Sequence, residues 1–160
     1  MILILVFAVE ALFLFYVERI RLLEASGDML QLIRVSYLLH LVLAIFSIAM
    51  VVALYVIERY MKNIQLLERL PIASVFIVLM ITATISLFDQ ITHGHITVFT
   101  VQLLLFGLLI YIRPPYQYLI YGLPYLLFVF GVLMFQENSD LVITHMINTC
   151  LLYTSDAADE

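Results

Sequence analysis

Long apolar blocks alternate with short polar connections along this chain. The blocks cover residues 1–17, 35–57, 71–88, 96–112 and 116–136, and a further one opens at about 141. Apolar residues follow one another inside each block, without the period-two alternation of a barrel strand, so the blocks are predicted to be helices. At 1.5 Å per residue the block 35–57 reaches about 34 Å, enough to cross a bilayer with some tilt. A chain in lipid has to satisfy its own backbone hydrogen bonds, and a helix does so within one segment. The expected fold is therefore all-α: a polytopic transmembrane helix bundle of five spans and the start of a sixth.

The connections carry the punctuation. In 18–34, Ser26-Gly27-Asp28 reads as a turn whose flanks extend the adjoining helices. Residues 58–70 read as a short amphipathic connection with Arg59, Lys62 and Arg69, after which Pro71 suits the first turn of the third span. Asp89-Gln90-Ile91-Thr92-His93-Gly94-His95 reads as the next turn. Arg113-Pro114-Pro115 ends the fourth span sharply, because proline disfavours helical geometry in the residue before it. Gly122 and Pro124 predict a kink in the fifth span, and 136–140 is a polar turn. The positive-inside rule weighs Arg59, Lys62, Arg69 and Arg113 against Arg19, Arg21 and Arg34. It places the histidine turn outside and the Arg-Pro-Pro turn in the cytoplasm.

Composition agrees with the bilayer as solvent. The chain is 65% hydrophobic and 12% charged, with a mean hydropathy of +1.13, too little polar surface for a soluble domain of this size. Tyrosines at the block ends suit the headgroup layer. A net charge of −5 without a basic stripe argues against a nucleic-acid partner. The tail CLLYTSDAADE, 150–160, resembles the translation of a transposon-type sequencing-library adapter, so the native region is expected to be 1–149. Setting the tail aside removes Asp156, Asp159 and Glu160 and moves the formal charge from −5 to −2. It also removes the lone cysteine, Cys150. The alternative is a genuine polar tail.

Polar chemistry inside the spans is sparse. Glu10 lies near the middle of the first block, where an acid costs about 2.5–3.5 kcal/mol to insert, so it faces other helices or water; it is either functional or a protonated packing residue. His40, one turn inside the second span, reads first as a hydrogen-bonded packing residue. Asp89, His93 and His95, with Asp140 and His145 from the next turn on the same side, form a candidate ligand or proton-sensing cluster. The bland reading is a helix start capped by Asp89 or Thr92 with histidines at the wet boundary. The histidine spacing is no recognised metal pattern, so no metal site is expected. Thr82, Thr84 and Ser86 can bond back to helix carbonyls or across to a neighbour, and Ala44, Ser47, Ala49 and Ala53 offer small surfaces for helix contact. Arg113 anchors a cytoplasmic boundary, with Pro114, Pro115 and Pro124 shaping the backbone beside it. No phosphate-binding loop, dinucleotide fingerprint, zinc-protease motif or Cys-x-x-Cys occurs, so no enzyme activity and no cofactor are expected of this piece.

FDQITHGHITVFT, IRPPYQYLIYG and LVITHMIN resemble the N-terminal membrane region of bacterial GGDEF proteins, the diguanylate cyclases. The similarity runs from about Val35 to Thr149 and is best from Asp89 onward. It implies a multi-pass sensory input region in a bacterial inner membrane, working as a homodimer. It also implies a cytoplasmic GGDEF domain that condenses GTP to cyclic di-GMP with magnesium. None of that domain's motif is present, so no catalytic residue carries over. Related input regions precede histidine kinases, which is the alternative output. A small transporter ranks below both, since no internal repeat is evident.

Overall fold

The computed structural model describes residues 19–24, 27–93, 97–110 and 112–136, together with Ala8, Ala11, Leu12, Tyr16, residues 142–144 and Ile147. Among these the regular structure is helical, with no strand. The helices are α1 (Arg19–Glu24), α2 (Asp28–Val56), α3 (Ile64–His93), α4 (Thr97–Leu109) and α5 (Pro114–Phe135). Three stretches are long and apolar enough to cross a membrane: Leu30–Met61, Ile64–Gln90 and Tyr116–Phe135. They correspond to the expected second, third and fifth spans. Most of the expected first span, the greater part of the sixth, and the tail lie outside the described residues.

Helix boundaries differ from the sequence reading wherever the true breaker was misjudged. Gly27 takes φ 65° and ψ −140° ahead of α2, a conformation that favours glycine. The connection 58–70 is mostly helical. α2 ends in a π turn, Ile57–Met61, closed by the Lys62 amide donating to the Ile57 carbonyl at 2.8 Å. Lys62 is left-handed, φ 49°. Asn63 then starts α3: its Oδ1 accepts from the Leu66 amide at 3.2 Å, the usual N-cap geometry. Pro71 consequently lies inside α3 rather than in its first turn. It lacks the amide that would bond the Leu67 carbonyl, and its own carbonyl accepts from Ser74 Oγ at 2.6 Å.

At the other end, α3 runs on through Asp89 to His93. The expected turn at Asp89 is helix, because no glycine or proline interrupts the chain before Gly94. Helix α4 has 13 residues, about 20 Å of rise, and stops at Leu109. Arg113-Pro114-Pro115 therefore does not end α4. Arg113 is extended (φ −57°, ψ 139°) and its carbonyl accepts from the Tyr116 and Gln117 amides, while the two prolines open α5. That is the position where a missing amide costs nothing. α5 continues through Pro124 as one helix to Phe135.

The chain divides into two compact units, 1–81 and 82–160, and the division falls inside α3. In the first unit the buried positions of α2 are Ile33, Ser36, His40, Leu43, Ala44 and Ser47, and Ile57 is buried in the π turn that follows. Apart from Ala44 they fall on an alternating three-four spacing, one stripe of the helix. Ser47 Oγ donates back to the Leu43 carbonyl at 2.8 Å. Ala44 and Ser47 are buried as small contact residues, whereas Ala49 is exposed and Ala53 half-buried. The opposite face of α2 shows Val35, Leu38, Val42, Ile45 and Val52 to the surroundings.

In the second unit α4 and α5 form an antiparallel pair. The Phe99 and Phe128 rings lie 4.8 Å apart, and Tyr121 Oη donates to the Phe106 carbonyl at 3.0 Å. The step from 99 up to 106 on α4 thus matches the step from 128 down to 121 on α5. Gly131 on α5 meets Leu87 on α3 so closely that a Cβ there would stand 2.5 Å from Leu87 Cδ1. Ser86 on α3 meets Phe99 on α4. Together these contacts run α3 and α5 parallel with α4 reversed, so the start of α4 and Arg113 lie at opposite ends of the α4–α5 pair.

Candidate functional site: the buried polar face of α3

The inward stripe of α3 in the second unit is Thr82, Ala83, Ile85, Ser86, Asp89 and Gln90. These positions repeat at the three- and four-residue intervals that keep one helix face together. Four of the six are polar. Thr82 and Ser86 are fully buried, Gln90 is 4% exposed and Asp89 6%. Gln102 of α4 is also buried, on the same stripe as Phe99 and Phe106. In a segment this apolar, a run of buried hydroxyls, amides and a carboxyl group is where the sequence spends its polarity.

Ser86 has a definite task. Its Oγ accepts from the Phe99 amide at 3.0 Å. The first four amides of a helix have no carbonyl partner within it, and Phe99 is the third residue of α4. A serine on the neighbouring helix thus supplies the capping oxygen that the sequence reading assigned to Asp89 or Thr92. The clue was present in the pattern of hydroxyls at 82, 84 and 86, but which amide they served depends on the hairpin. Asp89 lies one turn beyond Ser86 on the same buried stripe of α3.

Not every buried polar atom is satisfied. Gln90 Nε2 has no hydrogen-bond partner. Gln102 is engaged elsewhere, but its Oε1 accepts no hydrogen bond. Burying such a group without a partner costs about 1–3 kcal/mol.

The expected sensing cluster is only partly in view. Asp89 is placed and buried. His93 is the last residue of α3, and its side chain lies outside the described set. His95, Asp140, His145 and Glu10 lie outside the described residues altogether. His40 is fully buried in the first unit, on the α2 stripe. Arg113 and Pro114 are exposed at the start of α5, Pro115 follows in the first turn, and Pro124 is buried in mid-helix. Among the described residues no group of three His, Cys, Asp or Glu side chains gathers as a metal site.

Among the described residues, fold and site define an all-helical arrangement with three helices long and apolar enough to cross a membrane and a polar face buried in one of them. No family model, curated protein or solved structure matches the chain.

Proposed function

We propose that the chain is the membrane-embedded input region of a bacterial signalling protein, seated in the inner membrane. The observation that carries this reading is the buried polar face of α3, Thr82 to Gln90. Polar side chains in a membrane segment are costly, and they persist where a ligand, an ion or a change of packing uses them. Asp89 and its neighbours are the part of the bundle that distinguishes one input state from another. A stimulus that favours one packing of α3 against α4 moves α5 and whatever follows it.

The full count of spans in this proposal remains five, with a sixth leading to the cytoplasm. Its fourth crossing is made by α4 and its connection together. The helix provides about 20 Å, and the stretch from Leu109 to Pro114 reaches at most about 18 Å more, against a hydrocarbon core of about 30 Å. With the 94–96 connection outside, Arg113 is cytoplasmic.

The proposed output is a GGDEF domain making cyclic di-GMP from GTP with magnesium, in a homodimer; its support is the sequence resemblance alone. The test is the genomic DNA downstream of Thr149. A continuing apolar span followed by a GGDEF domain is the expected result. A phosphoacceptor helix and an ATP-binding domain would keep the sensor and replace its output. A stop codon directly after a genomic CLLYTSDAADE would remove the signalling reading.

A further inference from the structure

We propose that the turn between α2 and α3, residues 58–69, is a binding surface for anionic phospholipid headgroups. The inference rests on the bilayer setting proposed above, and on nothing about the output domain. Its first ground is the level at which the turn stands. Residues 35–57 and 70–88 hold no Asp, Glu, Lys or Arg. As helix they rise about 34 Å and about 28 Å, close to the hydrocarbon thickness of about 30 Å. The headgroup region adds about 5–7 Å on each side. Asn63 is about 9 Å beyond Arg69 along α3, and only Lys62 and Asn63 separate the π turn from that helix. The turn therefore starts at the edge of the hydrocarbon and ends at the outer limit of the headgroups.

The second ground is what the turn presents there. Every residue from Glu58 to Leu66 is exposed. Tyr60, Met61 and Ile64 are 75%, 60% and 71% exposed, in the same few residues as Arg59 and Lys62. Tyrosine beside arginine and lysine is the chemistry of a headgroup boundary, where apolar stems lie along the acyl edge and the cations reach phosphate. Among the described residues, the side chains of Arg59, Lys62 and Arg69 make no hydrogen bond or ion pair. Glu58 and Glu68 each adjoin an arginine in sequence, and such neighbours do not face each other on a helix. Three cations thus stand open to an anion from outside the chain. Lys62 also takes the left-handed conformation, φ 49°, in which glycine would close the turn with less strain. What the lysine adds is an ammonium group at the tip. Phosphate on an anionic lipid complements these cations, whereas a zwitterionic lipid brings a competing ammonium of its own.

The test is native mass spectrometry of the full chain, released from detergent containing equal amounts of phosphatidylglycerol and phosphatidylcholine with the same acyl chains. Phosphatidylglycerol adducts are expected to be favoured at least about fivefold, the effect of one lysine or arginine near a charged surface. The preference should fall towards one in Arg59→Gln/Lys62→Gln/Arg69→Gln. It should persist in Arg19→Gln/Arg34→Gln/Arg113→Gln, which removes the same number of exposed cations elsewhere. No preference in the unaltered chain, or an equal loss in both triple variants, would overturn the site.

A second measurement separates that failure from failure of the bilayer setting. The chain holds no tryptophan, so Ile45→Trp, on the outward face of α2, is a single fluorescent reporter. In vesicles of phosphatidylcholine with brominated acyl chains its emission should be quenched. Quenching there without a phosphatidylglycerol preference leaves α2 in lipid and refutes the headgroup surface alone. An unquenched Ile45→Trp would overturn the membrane reading and the surface together.

Discussion

Two side-chain hydrogen bonds to the backbone of α4, from Ser86 and Tyr121, are not equivalent. Ser86 Oγ accepts from an amide at the start of α4 that has no helical partner. Tyr121 Oη donates to the Phe106 carbonyl, which also accepts the Ile110 amide at 3.0 Å. Removing the serine oxygen strands a buried donor, whereas removing the tyrosine hydroxyl leaves a carbonyl still bonded. We therefore expect Ser86→Ala to destabilise the protein by about 1 kcal/mol, as loss of a cap does. Tyr121→Phe should cost less, about 0.5 kcal/mol. Unfolding in mixed micelles measures both, and the reverse order would refute the cap. The sequence advertised Ser86 as a hydroxyl inside a span able to bond across to a neighbour. Its partner was illegible, because Phe99 comes to it only through the closure of the α3–α4 hairpin.

Helix ends and crossings depend on a few backbone decisions. Lys62 takes φ 49°, where a Cβ is strained by about 1–2 kcal/mol. Lys62→Gly should relieve that strain and raise stability by up to about 1 kcal/mol, the net left after glycine's greater freedom in the unfolded chain. An unchanged or lower midpoint of unfolding would contradict this reading of the α2–α3 turn. Asn63→Ala should shift the same midpoint down, by about 1 kcal/mol, through loss of the Leu66 cap.

The α3–α5 crossing makes a different demand. A Cβ at Gly131 meets both methyls of Leu87 inside contact distance. Gly131→Ala therefore forces the leucine to move and should destabilise by about 1–3 kcal/mol, as overpacking does. Leu87→Ala in the same chain should recover part of the loss, and a double-mutant cycle reads the coupling directly. Strict additivity of the two changes would mean that the helices do not meet there. Gly27 announced its turn in the sequence through Ser26-Gly27-Asp28. Gly131 announced nothing, since a glycine in a membrane helix has no preferred partner until the helices are docked.

Over the described residues, much of the surface is apolar where a soluble protein would be polar. The outward faces of α2 and α5 carry Leu38, Val42, Ile45, Leu119, Leu126, Phe130 and Leu133, far more than the scattered apolar residues of a monomer in water. The buried stripes meanwhile hold serine, threonine, glutamine and histidine. This inversion predicts that the protein stays with the membrane pellet after an alkaline carbonate wash and is released by detergent alone. Release by carbonate would place it at the membrane surface.

Hydropathy by itself determined that the chain is helical and apolar enough to live in a bilayer, because local hydrogen bonding is the only economical way to carry a backbone through lipid. It also located the strongest turn signals, at Gly27 and at the paired prolines. It could not determine where α3 begins and ends. Asn63 caps that helix eight residues before Pro71, and the run from Asp89 to His93 stays helical because nothing in it breaks a helix. Nor could it show which polar residues face inward together. In an apolar chain every face of a helix has nearly the same hydropathy, so periodicity carries little information about the interior. Packing alone decided that Ser86 caps α4, that Leu87 rests on Gly131, and that Asp89 and Gln90 are buried side by side rather than exposed in a turn.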